Sequence, residues 1–550
     1  MFIRPTWSFF YGIFNEFHNY IAMTLLSFRL PIRCALVLAA VLGIGAAHEG
    51  FCATWFVATN GLDSNSGTSS APFATIMQAQ AVAHYGDTVW LRGGTYYPTN
   101  LTATNYPWKI VNTMTNNGIS YLAYPGELPV FDFSKVTFDP PTNRVTAFQV
   151  SANSCVFKGF DVVGVPILIT NAGTQCECFR VNGGNMNRFE QLRMHDGHGI
   201  GFYLTDGASN LVLNCDAWNN TGINANSYGN IDGFGIHASH TNGVGNVLSG
   251  CRAWNNSDDG YDLIHCYARA VIENCWAFYN GYFTNGTATG GNANGFKSGG
   301  FGVGSSAKSY PIPPPRHVTR FCLAVGNGAN GIYANFHPDG LDFVNNTAFR
   351  NKTDYNMVCN TNNVSRTYDT PGFNHYMRNN LGFIYSGTNR VTWLDTNKSD
   401  CAFNYFTLPV TVSSNDFMTF DESLLTAPRQ ADGSLPYIAF AQLVSSSDLV
   451  DAGTNAGFAF VGSAPDLGAF EYGSQLPTLA IAGAGTNLVF TSNHGPAGGT
   501  NYLLATIDLA PALAQWSRIA TNQFDLSGNC AFTNALSADL PQQFYRVGLP

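Results

Sequence analysis

Charge is scarce in this chain. Only 11% of its 550 residues are Asp, Glu, Lys or Arg, and the net charge is −9 at pH 7. No basic stripe runs along it. A nucleic-acid binder needs clustered cations to meet phosphates, so that class is set aside. The repeated segments sustain no long 3.6-residue apolar period, and their Asn-Gly and Gly-Gly breaks cut off any helix there. Helical repeat architectures are excluded with it. The apolar runs are too short for a comfortable membrane span. The DxDxDG order of an EF-hand is missing as well.

What is present is glycine, 57 residues of it, and aromatic side chains, at 14%. Low charge, many Gly and Asn residues and many short apolar runs point to an all-β, exported protein. The length allows more than one domain and a large core. Arg29 and Arg33 precede an apolar run from Cys34 to Ala47 that ends in Gly45, Ala46 and Ala47. This is the order of a signal peptide, and Met23 would start a leader of ordinary length. Residues 1–53 are therefore read as a leader, with cleavage after Ala47 or Ala53. A retained membrane anchor is the alternative. The expected location is secreted, extracellular or at the cell surface or periplasm, with no span in the mature form.

Five copies of a short pattern run through the middle: HGIG at His198, DGFG at Asp232, DGYD at Asp259, NGFK at Asn294 and NGIY at Asn330. A second frame gives the repeat length. Asp196 to Asn220, Asn256 to Asn280 and Asn327 to Asn351 are each 24 residues, and the longer steps of 36 and 47 read as 24 plus insertions. Segments such as LVLNCDAWNN, VLSGCRAWNN and VIENCWAFYN match one another. A β-rich unit this short cannot bury its apolar face alone, so the copies must stack. The prediction for 54–475 is a right-handed parallel β-helix with about three short strands per coil. A β-propeller or sandwich is the alternative, but its hairpins would recur about every ten residues. Asn suits the turns, because it tolerates left-handed backbone and its amide can bond the next layer.

Thirteen cysteines in an exported chain suggest disulfides. Yet Cys215, Cys251, Cys275 and Cys322 each lie five residues before an Asn and so share one repeat position. They are read as an internal stack of reduced thiols. A short amphipathic helix around Thr75–Ala83 would cover the open end of the solenoid. The insertions Thr221–Asn230, Tyr282–Asn292 and Pro311–Pro315 could wall a cleft. Residues 401–472 are expected to continue or cap the solenoid. Residues 476–550 alternate apolar and polar and read as a small β-sandwich-like domain, for attachment or as a spacer.

Aligning the copies puts Asp232, Asp259, Asn294 and Asn330 in one column, and Gly235, Asp262, Lys297 and Tyr333 in another. Layers of a parallel sheet lie about 4.8 Å apart. Asp232, Asp258, Asp259 and Asp262 could therefore converge. Asp258 and Asp259 would face opposite ways on a flat strand, but a bend at Gly260 could turn both to one ion. Such acids raise each other's pKa unless a cation sits among them. Oxygen-only ligands select a hard cation, with Ca²⁺ favoured in an open site. A solvated acidic ladder is the alternative. Lys297, one layer beyond Asp262, is the candidate base. The acids would raise its pKa, and Ca²⁺ and burial would lower it, with the cation expected to win. Histidines 195, 198, 237, 240 and 265 are read as ordinary turn or cleft residues. Arg316 and Arg320 could pair with substrate carboxylates, and Asn294 and Tyr333 are further substrate-binding candidates.

The run NNSDDGYDLIHC with NANGFKSGG, preceded by NIDGFGIH, resembles the pectate lyases of polysaccharide lyase family nine. VATNGLDSNSGTSSAPFATI with GDTVWLRGGTYY is similar to the start of the same family's β-helix domain. The resemblance covers Thr54 to Gly473 and is strongest from Asp232 to Asn351. It implies Ca²⁺-dependent β-elimination on 1,4-linked polygalacturonate or pectin. The chain is expected to act as a monomer. Asp232, Asp258, Asp259 and Asp262 would be the Ca²⁺ ligands, and Lys297 the base. After NGANG this chain has IYANFHPDG where an amide-rich stretch is expected, so its subsites depart there. Two other readings stand beside it. One is a polygalacturonase-type hydrolase working through Asp258 and Asp259 with Asp232 as a third acid. The other is a non-catalytic carbohydrate-binding β-helix.

Overall fold

The computed structural model describes residues 52–473, apart from 99–107, 139–140, 142–143, 171–174, 384–388 and 459, and further segments between 478 and 548. The leader reading, with Met23, Arg29, Arg33 and Cys34–Ala47, lies outside the described residues. Three long parallel sheets dominate. The first has 11 strands, from Thr54–Val57 to Tyr376–Arg378. The second has 10, from Trp108–Met114 to Asn389–Thr392, and the third has 10, from Gly94–Tyr96 to Leu381–Phe383. Strands from one turn of chain go to three different sheets, and each pairs in parallel with its counterpart in the next turn. The result is the right-handed parallel β-helix that the repeat predicts.

The strands are short because each coil has to turn corners. At one corner a residue with left-handed backbone precedes a buried Asn. Asn219, Asn255, Tyr279, Gly326 and Arg350 have φ of 51°, 51°, 55°, 60° and 59°. The amides of Asn220, Asn256, Asn280, Asn327 and Asn351 then hand hydrogen bonds up the stack at 2.9–3.3 Å. The ladder satisfies backbone and side-chain groups that would otherwise be buried without partners. Cys215, Cys251, Cys275 and Cys322 are free and buried, and the Cys251 amide donates to Cys275 Sγ at 3.4 Å. They fill the interior as small apolar residues, as their spacing suggests.

The glycine of the repeated pattern has a steric cause. A Cβ on Gly260 would lie 2.7 Å from the Gly295 carbonyl oxygen and 2.8 Å from Asn280 Nδ2. Gly233 and Gly295 meet their next-layer glycine carbonyls at the same 2.7 Å. Only a residue without a side chain lets the layers close here. Gly260→Ala should therefore lower stability by about 1–3 kcal/mol through overpacking. A thermal melt that matches the wild type would refute this close approach.

The helix at the N-terminal end runs Ile76–Val82, capped by the Thr75 side chain. It buries Ile76 and Ala79 against the first coil, and Gln80 bonds the Thr113 carbonyl and the Thr115 amide. It thus covers an edge, as expected. Residues 401–472 first continue the solenoid, as expected: Asn404 accepts from Asn380 N at 3.0 Å and Nδ2 at 2.8 Å, one more rung of an asparagine ladder. The rest does something the sequence does not suggest. It runs back along the third sheet as a strap. Phe420 stacks on Phe349 at 4.5 Å and on Phe383 at 5.2 Å. Arg252 donates to the carbonyls of Leu425 and Ala427, and Gln191 to that of Asp432. The chain then returns, with Asn345 and Asn379 donating to carbonyls of Gly468 and Thr454.

Between 478 and 548 two three-stranded antiparallel sheets are described. One holds Thr478–Ala484, Asn487–Asn493 and Cys530–Ala535, the other Ser517–Gln523, Thr500–Thr506 and Phe544–Gly548. Phe490, Leu503, Phe524 and Phe532 form their buried cluster.

Candidate active site

The outer face of the second sheet carries the second column of the repeat. Tyr203 pairs with Gly235, Gly235 with Asp262, Asp262 with Lys297, and Lys297 with Tyr333. Lys297 Nζ stands 2.9 Å from Asp262 Oδ2 and 3.0 Å from Asp259 Oδ2. The amine and the acids are all buried, with Lys297 only 7% exposed. Asp232, Asp259 and Asp262 each offer an oxygen within 4.8 Å of the others. Residues 257–260 form a bend rather than a strand, so consecutive acids can share one side. Asp258 stays outside the triad. Its carboxylate accepts from the Asn292 amide and from Asn292 Nδ2, and it faces the cleft.

The first column is an amide ladder in which two rungs are acids. Asp232 accepts from the Asp259 backbone at 3.1 Å, and Asp259 Oδ1 accepts from Asn294 N at 2.8 Å and Nδ2 at 2.7 Å. Asn294 in turn accepts from Asn330 Nδ2 at 2.7 Å. Asn294 reaches the cleft, but its amide is spent in holding Asp259. Asp259 Oδ2 is left without a hydrogen-bond partner and meets only the Lys297 charge.

Burial, and then the charges of neighbouring acids, push the carboxyl pKa values of Asp232 and Asp258 well above the usual range, and that of Asp259 up as well. For Lys297, burial works to lower the pKa. The charges of Asp259, Asp262, Asp258 and Asp232 outweigh it and hold the amine well above its ordinary value. The protein's own groups therefore keep Lys297 protonated. The acids and the ammonium neutralise one another.

These residues fit a hard divalent cation. The donor set is entirely carboxylate oxygen, three donors converge, and one buried oxygen is met by nothing but the Lys297 ammonium. Asp232, Asp259 and Asp262, with Asp258 beside them, would hold it.

The cleft over this floor has a volume of about 780 Å³. On one side of Lys297 stand Tyr203, His237 and His265, and on the other Tyr333, Phe336 and Arg366. Tyr203 Oη lies 3.2 Å from His237 Nδ1. Both rings crowd Gly235, where a Cβ would meet Tyr203 at 3.0 Å. The walls come from Gly229, Asn230 and Asn292 of two expected insertions, and from residues 302–308. The Pro311–Pro315 run does not line it.

Two readings change. Arg316 and Arg320 are not in the cleft. Val318–Arg320 is a strand of the first sheet, and the two guanidiniums already pair with Asp342 and Glu273. Their charges are spent inside the protein. The first copy of the pattern is shifted by two residues. Phe202 pairs with Phe234, so Ile200 lies opposite Asp232 and the copy reads Ile200–Tyr203 rather than from His198. His237 and His265 line the cleft, within the turn-or-cleft reading given to the histidines, and Tyr203, Lys308 and Arg366, which the sequence did not single out, line it with them.

The sequence profile of the family described as "Pel9A-like, right handed beta helix region" matches residues 55–380. Pectate lyase L of Dickeya chrysanthemi is 34% identical over 432 residues, covering 76% of this chain and 90% of that protein. The chain belongs to the Pel9A-like β-helix family. The counterpart from Dickeya dadantii (strain 3937) has the same identity and coverage. Among solved structures, a rhamnogalacturonan lyase is 39% identical with a TM-score of 0.67, covering 71% of this chain and 96% of its own. The pectate lyase Pel9A is 31% identical with a TM-score of 0.60, covering 77% and 97%. This Pel9A-like protein is a polysaccharide lyase. No helix among its described residues is long and apolar enough to cross a membrane.

Proposed function

We propose that the protein is a secreted, Ca²⁺-dependent lyase that cleaves 1,4-linked galacturonan by β-elimination. The observation that carries this reading is the Lys297 amine, set between Asp259 and Asp262 on the cleft floor beside three converging carboxylates. When bound, Ca²⁺ would draw charge from a uronate carboxylate and so acidify its C5–H. Lys297 Nζ takes the C5 proton. The C5–H electron pair becomes a C4–C5 double bond as the C4–O4 bond breaks with its pair going to oxygen, and water protonates the departing O4. Lys297 can act as a base only when its own proton is not needed to neutralise the acids. Burial then favours the neutral amine. Asn294 and Asn330 hold the Asp column in register, and Tyr333 borders the next sugar position.

A hydrolase working through Asp258 and Asp259 gives the buried Lys297 no task. A specific observation does favour a second substrate. The 39% identical solved relative is a rhamnogalacturonan lyase, and the same floor would serve a galacturonate in that alternating polymer. Incubation with polygalacturonate and with rhamnogalacturonan should yield an ultraviolet-absorbing unsaturated uronide from at least one. Chelator should stop the reaction and added Ca²⁺ should restore it. Saturated products, or a rate indifferent to chelator, would refute the reading.

A further inference from the structure

The Tyr333 side of the cleft carries a cation that the floor chemistry does not use. Arg366 lies in the short 3₁₀ turn Arg366–Tyr368, at the tip of a hairpin formed by Cys359–Asn360 and Asp369–Thr370. The hairpin is braced against the 302–308 wall. The Gly304 amide donates to the Asn363 carbonyl at 2.8 Å, Asn363 Nδ2 to the Lys308 carbonyl at 2.7 Å, and Tyr310 Oη to the Thr361 carbonyl at 2.8 Å. Arg366 is thus carried on a fixed element rather than a loose loop.

Its pose is fixed as well. The guanidinium carbon sits 3.6 Å from the centroid of the Phe336 ring, which meets Tyr333 edge-on at 5.8 Å. Phe336 holds a left-handed backbone, with φ of 58°, directly after Asn335 at 55°. Bulky residues rarely adopt this conformation, and it persists only where the surroundings enforce it. Here the Asn335 amide grips the Gly299 carbonyl at 2.6 Å and the Phe336 amide donates to Val358 at 3.0 Å. The ring is thereby turned into the cleft as a platform for the guanidinium.

The charge is only weakly paired. The Arg366 side chain is 64% exposed, and its nearest acid, Asp369, is 3.8 Å away. Asp369 is itself engaged by Asn360 Nδ2 at 2.7 Å. Among the described residues the guanidinium donates no hydrogen bond. Arg316 and Arg320 show the contrast, since each is saturated by an internal carboxylate.

We infer that Arg366, stacked on Phe336, is a specificity-determining residue that binds the carboxylate of a second uronate, displaced along the cleft from the sugar at Lys297. This rests on the proposed β-elimination of a uronan and adds a subsite to it. A 1,4-linked pyranose advances by a length close to one layer spacing of about 4.8 Å, so a polymer lying along the column passes Tyr333 and then Arg366. A planar fork of unspent donors suits a carboxylate bidentately, which a lysine at the same place would match only as a point charge.

Arg366→Ala should raise KM for polygalacturonate about tenfold and leave kcat nearly unchanged. Arg366→Lys should recover part of that loss, and the melting temperature should stay at the wild-type value because the side chain is exposed. An unchanged KM, or an equal fall in kcat, would overturn the assignment. If the wild type cleaves no polygalacturonate, the reading of the reaction fails but the subsite is still decided by calorimetric titration of tetragalacturonate with Ca²⁺ present. Binding weakened by Arg366→Ala supports it, and equal binding overturns it.

Discussion

Lys297→Ala should lose turnover by about 10²–10⁴-fold, the range expected when a positioned proton acceptor is removed. The same substitution should tighten Ca²⁺ binding. Lys297 Nζ lies within 3.0 Å of both Asp259 and Asp262, two of the three converging carboxylates. An ammonium held there competes with a divalent ion for the same oxygens. Asp232 and Asp259 are raised above the usual carboxylate range and the amine is raised above its own, so ion binding has to release protons. Ca²⁺ affinity of the wild type should therefore climb with pH, and that of Lys297→Ala should climb less. Without a divalent ion the variant leaves buried carboxylates with no counter-charge and should melt lower, and Ca²⁺ should close the gap. Near-full activity in Lys297→Ala would remove the base. Unchanged Ca²⁺ affinity would show that amine and ion do not share the acids.

Asp216→Asn should cost about 3–5 kcal/mol of stability, because it strips the shared acid from two guanidiniums held in a buried cluster. Arg252 donates to both Asp216 oxygens at 2.9 Å, and Arg429 donates to them at 2.7 and 3.1 Å. Asp216 and Arg252 are buried, and Arg429 belongs to the strap. Burial alone would raise the Asp216 pKa. The hydrogen bond from Arg252 and the charges of Arg429 and Arg252 hold it below the usual carboxylate value. A folded-state value below the unfolded one means that this contribution is full above the unfolded Asp range, about pH 4, and fades as pH falls through the folded value. Melting temperatures of wild type and variant should differ widely at pH 7 and converge in strong acid. A small difference at pH 7, or one that grows with acidification, would contradict the assignment.

The register of the site was legible in the sequence because sterics write it there. Gly233, Gly260 and Gly295 are required by the next layer's carbonyl, so the pattern marks where every coil turns. Once that mark is aligned, Asp262 and Lys297 must be neighbours, and they are. The mark fails where glycine occurs at two nearby positions. Gly199 and Gly201 both fit the pattern, and only pairing of the eight-residue strand Gly199–Asp206 selects the second. Residues delivered by insertions carry no period at all. Arg366 reaches the cleft from a hairpin, and Lys308 from a loop, and neither shares a repeat position with the floor. Arg316 and Arg320 misled because a charge beside a proline loop says nothing of which of three sheets it faces. The strap was invisible for a related reason. Its partners share no repeat position with it and lie far off in sequence, Asp216 being 213 residues from Arg429.

That strap changes how the solenoid can come apart. Coils that touch only their neighbours can peel from either end, one at a time, like a zip. Here a single length of chain is stitched from Phe383 back to Gln191 and then forward again to Asn379. Opening any coil along that span means tearing the seam as well. The floor of the cleft, at Asp232–Lys297, lies inside the sewn stretch, so it is shielded from fraying at either tip of the rod.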